Sequence, residues 1–287
     1  MHHWCTKTCF SFTSLFADLF RDHVAREALR YDYIMEALLA LASLHITIEM
    51  DDTAAARIRL SAALQYQNRA AAGMRNALAN LSTANCEAVT VCSLLLMICA
   101  LVSPLIPTGE HDQIVSTAEA MIAPIDFVKG IGSIVRQHPQ LTVQGPLTEF
   151  FAAEAKKLFC LKRPFPVQHL RTLNDSALQD PAYDIFADAI EKIQQLFDGE
   201  ISSIPWLRAV KSEYLEELRK GTTMALAIFM YWGVFLGCGK KIAGEEVWWA
   251  VYSAKKLVGE ISLTLMARGP EWTYIAKQCR VGVELDE

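Results

Sequence analysis

Gly221-Thr-Thr-Met-Ala-Leu-Ala-Ile-Phe-Met-Tyr-Trp-Gly-Val-Phe-Leu-Gly-Cys-Gly239 runs 19 residues without a charge. Ala88-Val-Thr-Val-Cys-Ser-Leu-Leu-Leu-Met-Ile-Cys-Ala-Leu-Val-Ser-Pro-Leu-Ile-Pro-Thr-Gly109 runs 22. By length alone either stretch could span a bilayer. The first carries Thr222, Thr223 and three closely spaced glycines, and the second is broken by Pro104 and Pro107. Little flanking charge asymmetry is present to set a topology. A helix that is apolar all round must be covered all round, so two central helices of a folded protein are expected and no membrane span.

The rest of the chain is helical in pattern. Leu60, Leu64, Ala71, Met74, Leu78 and Leu81 follow a 3.6-residue spacing, as do Phe186, Ile190, Ile193 and Phe197. Leu207, Val210, Tyr214 and Leu218 make another such stripe, and Val247, Val251, Ala254, Val258, Ile261 and Leu265 a further one. Alternation with period two is confined to Gln140–Gln144, too short to carry a sheet. Prolines and glycines mark the breaks, at 103–111, 137–146, 162–167, 199–205 and 237–244. Asp180-Pro181 reads as an N-cap followed by proline at the first helical position. No linker is long or polar enough to divide domains. The expected fold is all-α, one globular domain over residues 1–287, with roughly ten helices, two central apolar helices and a hydrophobic pocket.

Composition sharpens this. The 287 residues are 52% hydrophobic and 21% charged, with a formal net charge of −5. A core of this size needs no disulfide or metal staple. The acidic balance argues against direct nucleic-acid binding, which needs clustered Lys and Arg. The eight cysteines include no CxxC pair, so local zinc-ligand spacing is absent and a reduced cytoplasmic or nuclear setting is expected. Met1-His2-His3-Trp4 lacks a basic segment followed by an apolar run, so a signal peptide is not expected there. Phosphate-binding glycine loops, nucleophile elbows and helix-borne metal motifs are missing, and neither a metal nor a cofactor is expected. Among adjacent carboxylates, Asp51-Asp52 and Glu245-Glu246 suit helix starts.

The aromatic density is the richest feature. Phe229, Tyr231, Trp232 and Phe235 lie on the charge-free helix, followed by Trp248, Trp249 and Tyr252. These rings either fill a core or, with Met97, Phe127 and Met224, line an apolar pocket with one or two polar groups. His45, Asp126, Lys129 and Arg136 are the polar candidates. His45 itself reads first as a hydrogen-bonded core histidine and only second as a catalyst.

Met1-His2-His3-Trp4-Cys5-Thr6 resembles the opening of the C-terminal regulatory domain of fungal zinc-cluster transcription factors of the sterol uptake control type. Ile34–Ile46 is similar to a leucine-rich helix of that domain. Tyr66–Ala88, Ser93-Leu94-Leu95, Ala100-Leu101, Ile125–Ile131, Trp248-Trp249 and Trp272 extend the resemblance over nearly the whole chain. The resemblance implies an all-helical, often dimeric domain whose pocket takes a sterol. The zinc-cluster module does not occur in this sequence, so DNA binding in the family's manner is not expected. Two functions fit. One is a regulatory protein that binds a sterol- or terpenoid-like molecule and acts as a homodimer or with a full-length regulator. The other is a cofactor-independent cyclase, isomerase or pericyclase of secondary metabolism, built on the same scaffold, which needs only positioning and a hydrogen-bond donor.

Overall fold

A computed structural model describes residues 1–12, 16–107, 120, 122–155, 165–238 and 247–285. The protein is 79% helical, with no strand among the described residues. It forms two compact units: Met1–Gln113 with Ala123–Ala155 and Ile242–Trp249, and Ile114–Ile122 with Lys156–Lys241 and Ala250–Glu287.

In the first unit, α1 (His2–Thr6) leads through a 3-10 turn (Thr8–Phe12) and a π-helical turn (Leu19–Val24) into α2 (Ala25–Glu27). Then come α3 (Asp32–Ile48), α4 (Thr53–Ala79), α5 (Cys86–Val102), α6 (Ala123–Gln137) and α7 (Thr148–Ala155). Asp52 caps α4 as expected of a carboxylate there, its Oδ1 accepting from the amides of Ala54 and Ala55. Asn85 ties the α4–α5 turn: its Oδ1 accepts from the Ser82 amide and its Nδ2 donates to the Asn80 carbonyl. The α5 helix packs against α3, α4 and α6 and is buried at every position except Glu87. Cys86–Leu105 is long and apolar enough to cross a membrane, yet 94% of it is covered by the protein itself, as in a core helix.

The α4 stripe differs from its expected reading. Leu60 and Met74 are buried, but Leu64 and Leu78 are exposed, and Ala63 and Ala70 take the inner line. The cause is the close approach of α3. A Cβ at Gly73 would lie 2.8 Å from the Tyr33 Cβ, so this side of α4 accepts only small residues.

In the second unit, α8 (Gln168–Asp175), α9 (Tyr183–Phe197), α10 (Ser203–Ala209) and α11 (Ser212–Arg219) precede α12 (Thr223–Cys238). The chain ends in α13 (Trp248–Met266), of which Trp248 and Trp249 belong to the first unit, and α14 (Pro270–Gly282). The α12 helix packs against α8, α9, α10, α11 and α14 and is buried from Met224 to Cys238. Each apolar helix is thus the centre of its own unit. Cβ atoms at Gly233 and Gly237 would come within 2.9 Å of Leu257 Cδ2 and 2.8 Å of Ala254 Cβ, so these glycines set the α12–α13 approach. The stripe from Leu207 to Leu218 is buried throughout but is shared by two helices that break at Val210 and Lys211. Asp180 does not cap a helix: its Oδ1 accepts from the Ala182 amide in a turn, and α9 starts later, at Tyr183. Gln140–Gln144 is a 3-10 turn, Pro139–Thr142, with its flank. The Glu245-Glu246 pair and most of the 237–244 turn lie outside the described residues.

Candidate functional site

The last turn of α3 places His45 and Glu49 on one side, four residues apart. The apolar positions Leu38, Leu41 and Leu44 are fully buried and hold this turn against the core, taking the His45 ring in with them. His45 is 8% exposed. The α1 helix docks on α3 and brings His3 edge-on to His45, with ring centroids 4.9 Å apart at 77°. Trp248 covers the other side in parallel, at 4.3 Å and 4°.

Polar atoms surround the imidazole. The Thr8 hydroxyl, fully buried, is 3.1 Å from His45 Nδ1. His45 Nε2 stands 3.7 Å from Glu49 Oε1, and His3 Nε2 stands 4.0 Å from Glu49 Oε2. Lys7 Nζ donates to both carboxylate oxygens, at 2.9 and 3.0 Å. A carboxylate at a helix C-terminus is opposed by the helix dipole, and Lys7 offsets that here. The Lys7 hydrogen bond holds the Glu49 carboxyl below its usual range, while partial burial opposes the shift. Burial pulls His45 down to about 4, against the opposing pull of Glu49, with His3 and Lys7 lowering it further. Burial lowers His3 as well. Both rings are therefore neutral near pH 7, beside an ionised carboxylate. The arrangement offers hydrogen-bonding atoms to a neutral ligand, while the 3.7 Å between His45 Nε2 and Glu49 Oε1 is too long for direct proton transfer.

The aromatic residues of α12 are organised differently. Trp232 stacks on Phe229 at 5.1 Å and 6° and on Trp206 at 6.1 Å and 22°. Trp206 meets Tyr214 edge-on. Most of their polar atoms are satisfied by backbone carbonyls: Trp232 Nε1 donates to Ser203, the Tyr214 hydroxyl to Ala225 and the Tyr231 hydroxyl to Pro166. Phe165, Phe197 and Phe235 close the other end of this cluster around Tyr231. All of Phe229, Tyr231, Trp232 and Phe235 are at most 3% exposed. These rings pack on one another as a core does.

The predicted residues are thus divided. His45, Trp248 and Trp249 come to the first unit with Met97, which is buried in α5. Met224, Phe229, Tyr231, Trp232 and Phe235 are buried in the second unit, and Tyr252 is half-buried there. On α6, Phe127 is half-buried while Asp126, Lys129 and Arg136 are exposed; these three charges face solvent rather than an apolar interior. His3, Lys7, Thr8 and Glu49 join the site without having been singled out. Glu49 was within reach, since it follows His45 by one helical turn. Lys7 and Thr8 arrive through a tertiary contact that spacing alone does not encode. No protein family, curated protein or solved structure matches this chain.

Proposed function

We propose that the chain binds a hydrophobic, sterol- or terpenoid-like small molecule and acts as a regulatory protein, as its resemblance to zinc-cluster regulator domains implies. The observation that carries this reading is the buried His45 ring, packed between His3 and Trp248, where burial favours its neutral form. A stacked, uncharged polar group suits a largely apolar ligand with a single polar end. Met97, Phe127, Trp248 and Trp249 are the apolar candidates in the same unit, and Trp248 touches His45. Output would pass through a homodimer or a full-length regulator in the cytoplasm or nucleus. The direct test is titration of the purified protein with dehydroergosterol, a fluorescent sterol, read as energy transfer from tryptophan. Saturable binding supports the reading, and a linear, unsaturable signal removes it.

A second reading is favoured by the Thr8–His45–Glu49 series of contacts. A neutral imidazole flanked by a hydroxyl and a carboxylate can accept a proton, and its lowered basicity suits it to a strongly acidic substrate or a cationic intermediate. In a cofactor-independent cyclase or isomerase, His45 would take a proton from a terpenoid or polyene substrate, and Glu49 would stabilise the resulting imidazolium. Incubation with polyene and terpenoid pathway intermediates separates the two readings. Turnover above buffer that is lost in His45→Gln favours the enzyme; binding without turnover favours the regulator.

A further inference from the structure

The α4 helix is charged in one sense only. It carries Arg57, Arg59, Arg69 and Arg75 and no Asp or Glu in 27 residues, within a chain of net charge −5. Elsewhere the fold supplies cations with a carboxylate one turn back: Asp18 for Arg21, Glu27 for Arg30, Asp188 for Lys192 and Glu217 for Lys220. On α4, Arg69 pairs with Glu36 of α3. Arg57, Arg59 and Arg75 are exposed and have no ion-pair partner among the described residues. Arg57 and Arg75 stand 18 positions apart, five helical turns, so they project from one line about 27 Å apart. Ser61, Leu64 and Asn68 lie between them on that line and are exposed. Leu64 is 39% exposed, and Ile58, beside Arg57, is 75% exposed. The buried positions Leu60, Ala63, Ala70 and Met74 face inward, where α4 packs against α3 and α5. The outer line is therefore a solvent-facing strip with a cation at each end and apolar groups within it.

We infer that this strip docks an acidic amphipathic helix of another protein. Carboxylates near the two ends of that helix meet Arg57 and Arg75, and apolar side chains between them cover Ile58 and Leu64. Charge complementarity selects this occupant, because the strip offers cations that the fold leaves unpaired and no anion to repel a carboxylate. A nucleic acid needs a denser array of cations to follow its phosphates. An anionic membrane needs a broad bulky apolar side to bury, whereas Ser61 and Asn68 interrupt this one. A second copy of the chain offers the acidic helix α9, but its Asp188 and Glu191 are already engaged by Lys192 and Arg171. The inference goes beyond the ligand-binding reading and does not depend on it.

The test is fluorescence anisotropy with a labelled, alanine-based helical peptide. One of its faces carries a pair of glutamates at each end, about 27 Å apart, with leucines between. The same peptide with glutamine for glutamate is the control. The wild-type protein is expected to bind the glutamate peptide saturably at low ionic strength, about tenfold more tightly than the control, the scale of two exposed ion pairs. Added salt should weaken that binding. Arg57→Glu combined with Arg75→Glu should abolish the preference, and Arg57→Gln combined with Arg75→Gln should reduce it. Arg208→Glu combined with Arg219→Glu makes the same change of net charge at exposed positions of the second unit and should leave it intact. Circular dichroism confirms that each variant is folded, as expected for exposed side chains. No saturable binding of the glutamate peptide, equal binding of both peptides, or a preference that survives both α4 double variants overturns the inference. Tighter binding to a DNA duplex or to phosphatidylserine vesicles than to the peptide overturns it too. So does a self-associated species in sedimentation that the α4 variants abolish, which would assign the strip to a second copy.

Discussion

Trp232 in the second unit and His45 in the first are both flat rings packed face to face with an indole or a phenyl, yet their polar atoms are treated in opposite ways. The Trp232 N–H ends on a backbone carbonyl at 2.9 Å, as do the hydroxyls of Tyr214 and Tyr231. Those groups have spent their directional bonds on the fold. The His45 ring meets side chains instead, with one nitrogen on the Thr8 hydroxyl and the other facing a carboxylate that it does not reach. Side chains can change partners at lower cost than backbone carbonyls held by the packed chain. The difference teaches that the aromatic cluster commits most of its polar atoms to the fold, whereas His45 is where polar side chains meet one another.

The largest effect that could break this comparison is Trp232→Ala. Removing a fully buried indole should cost about 3–5 kcal/mol, read as a lower denaturation midpoint, with ligand affinity of the folded fraction unchanged. Loss of affinity without loss of stability would move the site to the second unit. Next comes pH. His45 titrates near 4 in the folded protein and at about 6.5 when unfolded. Between these values the unfolded chain binds the extra proton, so stability is full above about pH 6.5 and falls as pH drops towards 4, by on the order of 3 kcal/mol. In His45→Gln this part of the pH dependence should flatten; denaturant titrations at pH 7 and pH 4.5 measure it. Gly237→Ala should cost about 1–3 kcal/mol, since the new methyl meets Ala254 at 2.8 Å and Val283 at 3.1 Å. Thermal melts would show this without any change in the ionisation of His45. The smallest expected change is Lys7→Ala. Its ion pair with Glu49 is half-exposed, so stability should move by about 1 kcal/mol or less, while the Glu49 carboxyl rises towards its usual range.

Much of the fold was legible because burial leaves a mark on sequence. The charge-free runs became the fully covered helices α5 and α12, and Phe186, Ile190, Ile193 and Phe197 form the inner face of α9 as their spacing predicts. Periodicity misread α4, since close helix approach puts alanine and glycine inside and leaves Leu64 and Leu78 outside, the reverse of a simple hydrophobic ranking. The site was half legible. His45 and Trp248 were recognisable as chemistry-bearing residues, 203 positions apart in the chain, but their stacking is a product of tertiary packing. Asp126, Lys129 and Arg136 carry the right chemistry on the exposed face of α6, and a helix with so strong an apolar side leaves its charges in water.

The account depends most on the charge state of the histidine pair. Proton NMR titration of the seven histidines, with His45→Gln and His3→Asn used to assign the ring resonances, tests it directly. The account predicts that the His45 resonance titrates near pH 4 and the His3 resonance below 6.5, so that both rings are uncharged at neutral pH. A His45 midpoint at 6.5 or above would contradict it, since a ring charged near neutral pH would not be the neutral polar group on which the account rests.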